Sequence, residues 1–355
     1  MFEDFAASHR SKINTQLHAI FRTELNAAKD SSQAYYDLLK QLDVLLRRGG
    51  KRLRPLLFLI AYQGFGGRDK QASLKVAASQ ELLHTFLLIH DDVIDRDFHR
   101  WGGKNITGVY FERYSKTMAP RDAMHFAQSQ ALLAGDACFS LANQLLLTSG
   151  FDSLRTVSAT QLQQRTVTQV VAAEVTETDY LNTVKFPKDE QILQLYRDKT
   201  ASYSFALPLQ LGALFAGADS SELLVLSEIA NDLGVAFQLQ DDLLGIFGHE
   251  DKMGKSNLSD LREGKRTALI LKTLELAKPP DQKKLLSILG DQNVDTADLK
   301  QARIIITTSG AKEYSSNQVW QYSQRAMDKI SDSSLSQPAQ ELLHDLIKIL
   351  IRREY

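Results

Sequence analysis

Apolar residues recur at three- and four-residue spacing along almost the whole chain, and strict apolar–polar alternation is nearly absent. That is the period of a helix with one buried face, not of a strand. Only 7 Pro and 19 Gly among 355 residues leave few breakers, which favours long helices. Leu38, Leu39, Leu42, Leu45 and Leu46 make one stripe, and it stops at Gly49-Gly50 as a helix C-terminus would. A second helix is predicted from about Ser73 through His90 into the acids beyond, and others over about 122–148, 152–180, 188–216, 221–247, 266–276, 311–330 and 335–353. Asp189 and Glu190, just after Pro187, suit a charged first turn. The longest expected loop is Trp101 to Pro120, with His249 to Glu263 next. No linker divides the chain and no fixed-period repeat points to a solenoid. The expectation is an all-α fold, a helical bundle forming a single domain over 1–355.

Lys and Arg number 42 against 43 Asp and Glu, a net charge of -1, which excludes a broad phosphate-neutralising face and an acidic tail. No nucleic-acid partner is expected. The single cysteine, Cys138, cannot form an intrachain disulfide; it suits a reducing compartment and reads as a small buried side chain. The first residues are acidic where a signal peptide is basic. The most apolar stretch, Phe205 to Ala218, is broken by Gln210 and too short to span a bilayer. A soluble, cytoplasmic protein without a membrane span is expected.

Two acid clusters follow apolar runs directly. In His90-Asp91-Asp92-Val-Ile-Asp95, Asp91 and Asp95 are one helical turn apart and about 40° apart around the axis, so they can share one cation. Gln238-Leu-Gln240-Asp241-Asp242 is the second. Carboxylates without His or Cys suit Mg²⁺, which keeps waters and shares phosphates with the protein. The bases are Lys51 and Arg54 after the diglycine, Arg100, Lys199, Lys255 and Lys265. Taken singly, each group has a plainer reading: a solvated helix face, a helix start, or for His84 a core histidine. Lys199-Thr200 inside an apolar helix is harder to dismiss, because an inward lysine needs an anionic partner. Together they suit a diphosphate held by Mg²⁺ on one side and cations on the other, over an apolar pocket that shelters a carbocation from water.

Gly49-Gly-Lys-Arg-Leu-Arg-Pro55, Glu81-Leu-Leu-His84, His90-Asp-Asp-Val-Ile-Asp95, Gly135-Asp136, Lys199-Thr200, Phe237-Gln-Leu-Gln-Asp-Asp242, Gly254-Lys255 and Asp260-Leu-Arg-Glu-Gly-Lys-Arg-Thr267 occur in one order. In that order and spacing the chain resembles the trans-isoprenyl diphosphate synthases, the polyprenyl synthetase family. The resemblance implies an isoprenoid-synthase bundle around a deep central cavity, with the acid helices facing each other, and a homodimer. It implies that Asp91 and Asp95 hold two Mg²⁺ ions and Asp241 a third, supported by Asp92 and Asp242. It gives Arg100, Lys199, Lys255 and Lys265 the allylic diphosphate, and Lys51, Arg54 and His84 the isopentenyl diphosphate. Thr200 and Gln238 steady the cation.

Two departures stand out. Arg100-Trp101-Gly102 replaces the family's Arg-Arg-Gly, so the second guanidinium is missing and Lys104 is a candidate substitute; Gly245 replaces the last Asp of the second motif. Phe86 and Leu87, one to two turns before Asp91, are the expected floor that limits product length to about fifteen to twenty carbons, geranylgeranyl diphosphate being favoured. A terpene cyclase fits less well, since its Asn/Asp-x-x-Ser/Thr-x-x-x-Glu triad is absent. Trp101 and Gly245 keep open a different reading, a non-catalytic partner subunit of a heteromeric synthase.

Overall fold

A computed structural model describes residues 1–183, 186–248 and 257–351. They form two compact units, Met1–Thr160 and Gln161–Tyr355.

The first unit contains α1 (Phe2–Lys29), α2 (Gln33–Arg47), α3 (Leu53–Gly64), α4 (Lys70–Ile94), a short hairpin of β1 (His99–Arg100) and β2 (Gly103–Lys104), α5 (Ile106–Tyr114) and α6 (Pro120–Leu147). The leucine stripe of α2 is buried as its period requires, and Ser32 caps the helix by accepting from the Tyr35 N–H. α3 is apolar all round and buried nearly throughout, from Pro55 to Tyr62, which marks it as an interior helix. α4 begins on Asp69, whose side chain accepts from the N–H groups of Gln71 and Ala72, and its last turn carries the first acid cluster. α6 presents Ala123, Ala127, Ala131, Ala134 and Cys138 as a buried small-residue stripe, which lets it lie close along α4.

The expected 101–120 loop is instead the hairpin turn followed by α5. Trp101 and Gly102 both have positive φ, 51° and 71°, the signature of a tight two-residue turn between right-twisted strands. Glycine pays little for this conformation, whereas Trp101 pays about 1–2 kcal/mol. α5 escaped the sequence reading because Gly, Asn and Thr dilute its apolar pattern. Asn105 starts it by accepting from the Gly108 N–H at 2.8 Å. The sequence reading also passed over α1 and α3.

α7 (Ser153–Asn182) spans the boundary between the units. The second unit continues with α8 (Asp189–Tyr196), a π-helical segment Arg197–Ala206, α9 (Leu207–Ala216) and α10 (Ser220–Phe247). Then come α11 (Ser259–Glu263), α12 (Ala268–Leu276), α13 (Pro279–Ile288), α14 (Thr296–Thr308), α15 (Ala311–Ser331) and α16 (Gln337–Ile351). α10 is the axis of this unit. Its buried Leu233, Val235, Ala236, Leu239, Leu243 and Ile246 are enclosed by neighbouring helices, α15 among them. Asp219 and Glu222 cap its start reciprocally. The predicted helix over 188–216 is continuous but changes winding at Arg197, which apolar periodicity did not reveal. α13 and α14 were not expected either.

The hairpin holds the only strands among the described residues, so the all-α expectation stands. No helix among those residues is long and apolar enough to cross a membrane.

Candidate active site

In the first unit, Asp91 and Asp95 lie a turn apart at the end of α4, and the Asp95 N–H donates to the Asp91 carbonyl at 2.8 Å. Both residues keep part of their surface. Asp92 faces elsewhere: it is 3% exposed, and Arg100 on β1 donates to its Oδ1 from Nε at 2.9 Å and also from Nη2. Burial raises the Asp92 pKa, with the Arg100 charge and hydrogen bonds opposing. Burial pulls the Arg100 pKa down, but Asp92 and the nearby Asp91 and Asp97 outweigh it, so the guanidinium stays charged. The hairpin thus delivers Arg100 to the acid cluster.

His84 lies among Arg54, Arg100 and Arg52. Desolvation first, and then those positive charges in that order, hold its pKa well below 6.5. A neutral imidazole among guanidiniums can donate one hydrogen bond to an anion without adding charge. Lys51 is exposed, and its carbonyl accepts from Arg10 Nε at 3.1 Å. Phe86 is 8% exposed and turned to α6, its ring 4.9 Å from that of Phe139 and 4.8 Å from that of His90. Leu87 keeps partial exposure. Lys104 is paired with Glu112 at 2.5 Å, and its carbonyl accepts from Arg48.

In the second unit, Asp242 is 5% exposed and accepts from the Tyr196 hydroxyl and from Gln238 Nε2, the latter at 3.3 Å. Burial pushes its pKa up to about 8, with the charges of Asp260 and Asp241 adding to the rise and the two hydrogen bonds opposing it. Asp241 beside it remains partly exposed. Gln238 Oε1 accepts from Thr200 Oγ1 at 2.8 Å, which joins two predicted residues across the π-helical segment. Lys199 does have its anionic partners: Glu174 at 2.6 Å and Glu177 at 2.5 Å, both on α7. Lys265 pairs with Glu263 at 2.9 Å and lies 4.0 Å from Asp260. A Cβ added at Gly245 would overlap the Asp260 carboxylate, so the space a side chain would take there already holds an acid. Lys255 lies outside the described residues.

The first unit thus brings Asp92 to Arg100 and His84 near Arg54 and Arg100, and the second joins Thr200, Gln238 and Asp242. The contacts of Lys265 with Glu263 and of the Lys51 carbonyl with Arg10 lead outside the predicted set. The sequence reading missed Arg52, Glu81, Phe139, Glu174, Glu177 and Tyr196. Only the glutamates left a signal, a carboxylate pair at i,i+3 available to the lysine that needed one. Among the described residues no group of three His, Cys, Asp or Glu could hold a metal ion. The donor set still fits Mg²⁺, which takes one or two carboxylates and completes its shell with waters and substrate phosphates.

The model of one family, described as polyprenyl synthetase, matches residues 36–306, well over half the chain. The chain belongs to the polyprenyl synthetase family. It is accordingly an enzyme, a trans-prenyltransferase. A geranylgeranyl diphosphate synthase of Sulfolobus acidocaldarius is 32% identical over 94% of this chain and 97% of its own length. A (2E,6E)-farnesyl diphosphate synthase of Mycobacterium bovis is 30% identical over 86% of this chain and 80% of its own. The crystal structure of a geranylgeranyl pyrophosphate synthase from Corynebacterium glutamicum, complexed with isoprenyl diphosphate and magnesium, superposes with a TM-score of 0.92. It is 26% identical and covers 100% of both chains. Of the two departures, Gly245 lies against the Asp260 carboxylate, and Lys104, the candidate substitute near Trp101, is paired with Glu112 as Lys199 and Lys265 are paired with glutamates.

Proposed function

We propose that this chain joins an allylic diphosphate head-to-tail to isopentenyl diphosphate, giving a trans-prenyl diphosphate of about fifteen to twenty carbons. The observation that carries this reading is the split within the first motif. Asp91 and Asp95 stay partly exposed, while Asp92 is buried and paired with Arg100, which it holds at the acid cluster.

Asp91 and Asp95, with Asp241 in the second motif, are the residues that would hold Mg²⁺; Asp92 and Asp242 support them. Bound Mg²⁺ supplies charge neutralisation that makes diphosphate a good leaving group. Arg100, Lys199, Lys255 and Lys265 hold the allylic diphosphate. Lys51, Arg54 and neutral His84 orient the isopentenyl diphosphate. The C1–O bond breaks and its electron pair leaves with the diphosphate. The isopentenyl double bond then attacks C1, and a proton passes to the departing diphosphate. The Thr200 hydroxyl and Gln238 carbonyl oxygens present dipoles to the passing positive charge, and their mutual hydrogen bond fixes them beforehand. Phe86 ends the space for the growing chain, backed by Phe139. Three Mg²⁺ ions, a homodimer, a cytoplasmic location and one functional domain over 1–355 belong to the same proposal. The relatives are named as synthases in their own right, and nothing favours a non-catalytic partner.

The test is a product assay on the purified chain with Mg²⁺, labelled isopentenyl diphosphate, and dimethylallyl, geranyl or farnesyl diphosphate. A discrete product in the stated range is expected, with Asp91→Ala lowering kcat about 10²–10³-fold or more. Products beyond about twenty-five carbons would remove Phe86 as the floor. No condensation with any primer would overturn the assignment.

A further inference from the structure

Between Lys51 and Arg54, the two cations after the diglycine, stands a third, Arg52, that is not available to a ligand. Arg52 is 4% exposed, and its guanidinium is spent on protein. Nη1 donates to Glu81 Oε1 at 2.6 Å, Nε to Asn14 Oδ1 at 3.0 Å, and Nη2 to the Leu46 carbonyl at 2.6 Å. One side chain thus ties α1, the last turn of α2 and α4 to the start of α3. The backbone is arranged for this. Arg52 itself has a left-handed φ of 54°, and Gly50 crosses the guanidinium at φ 125°. A Cβ at Gly50 would come within 2.8 Å of Arg52 Nη1, so the second glycine of the pair is needed for the clamp.

Glu81 precedes His84 by three residues on α4 and shares its face, while Arg54 follows Arg52 by two in the first turn of α3. Fixing Arg52 on Glu81 therefore fixes the segment that carries Lys51 and Arg54 beside the helix that carries His84, with Arg54 close enough to His84 for its charge to be felt. Stability alone is a poor reason to keep such a pair. Replacing a buried ion pair by apolar groups of similar size is often neutral or stabilising, whereas deleting one partner is strongly destabilising.

We propose that Arg52, paired with Glu81, is a positioning residue that sets Lys51 and Arg54 in register with His84, and so sets affinity for the isopentenyl diphosphate without touching it. This rests on the reading of Lys51, Arg54 and His84 given above.

The experiment measures steady-state kinetics against each substrate in turn, with thermal unfolding alongside, for the wild type, Arg52→Met, Arg52→Lys and the apolar double variant Arg52→Met/Glu81→Leu. Arg52→Met is expected to raise KM for isopentenyl diphosphate about ten- to hundredfold and to leave KM for the allylic diphosphate within about twofold. Arg52→Lys should recover part of that loss. The double variant should regain wild-type melting while keeping the raised KM, and it decides the matter if Arg52→Met does not fold. A double variant whose KM returns with its stability would show a purely structural clamp and overturn the proposal, as would equal losses against both substrates. An inactive wild type would instead sink the synthase assignment, which is a separate result.

Discussion

His84 shows how one residue carries a solution property of the whole chain. Desolvation and the charges of Arg54, Arg100 and Arg52 all favour the neutral ring. Below the unfolded value of about 6.5 the unfolded chain takes up a proton that the folded chain refuses. The contribution is therefore fully present above that pH and is lost as pH falls, at up to about 1.4 kcal/mol per pH unit. Asp242, its pKa pushed up to about 8 by burial, pulls the other way over the same range, so the test is a difference. In urea unfolding of the metal-free protein between about pH 5 and 7.5, the wild type should gain stability with rising pH relative to His84→Gln, which cannot titrate. An unchanged slope in the variant would place the titration elsewhere. The placement of Asp91 and Asp95 one turn apart at a helix end was legible from their spacing. Arg52 was not, since nothing in Lys51-Arg52-Leu53-Arg54 says which cation is consumed by a carboxylate at Glu81.

At the scale of elements, the acid clusters depend on short segments that periodicity cannot predict. The hairpin of His99 to Lys104 carries Arg100 to Asp92, and α11 carries Asp260 to the space beside Gly245. The latter predicts sign-dependent coupling. Gly245→Asp restores the family's usual acid but overlaps Asp260, and should cost about 1–3 kcal/mol of stability, the usual range for overpacking. In an Asp260→Ala background most of that cost should vanish. A double-mutant cycle by denaturant unfolding measures the difference, and strictly additive effects would mean that the two positions do not compete. Long helices such as α4 and α10 could be read from the spacing of Leu and Ala. The tight turn at Trp101-Gly102 and the helix α5 could not, because a two-residue turn is set by backbone angles and the 9 residues of α5, set in a stretch rich in Gly, Thr and Lys, are too short to establish a period.

For the whole molecule, the all-α architecture followed from sparse breakers and a pervasive helical period, and the family from ordered motifs. The division into two compact units left no mark in composition, since no Pro- or Gly-rich linker lies near Thr160. Each unit concentrates carboxylates that repel one another without a cation. Mg²⁺ together with inorganic diphosphate should therefore raise the melting temperature by several degrees, since a ligand at a hundred times its Kd stabilises by about 2.7 kcal/mol. Chelation with EDTA should reverse the shift, and the same melting temperature with and without the pair would count against metal-bridged binding. The π-helical segment Arg197–Ala206 has a consequence for how this chain tolerates insertions and deletions. Its wider turn accommodates more chain than an α-helix would, as if an insertion had been absorbed without a loop. Losing one residue between Ala201 and Ala206 would let the stretch tighten to ordinary winding, and the larger turn per residue then nearly cancels the missing one, whereas a deletion within α9 rotates everything before it by about 100°. A single-codon deletion in this stretch should therefore keep Lys199 and Thr200 near the α7 glutamates and Gln238, while the same deletion in α9 would turn both side chains away with every motif intact.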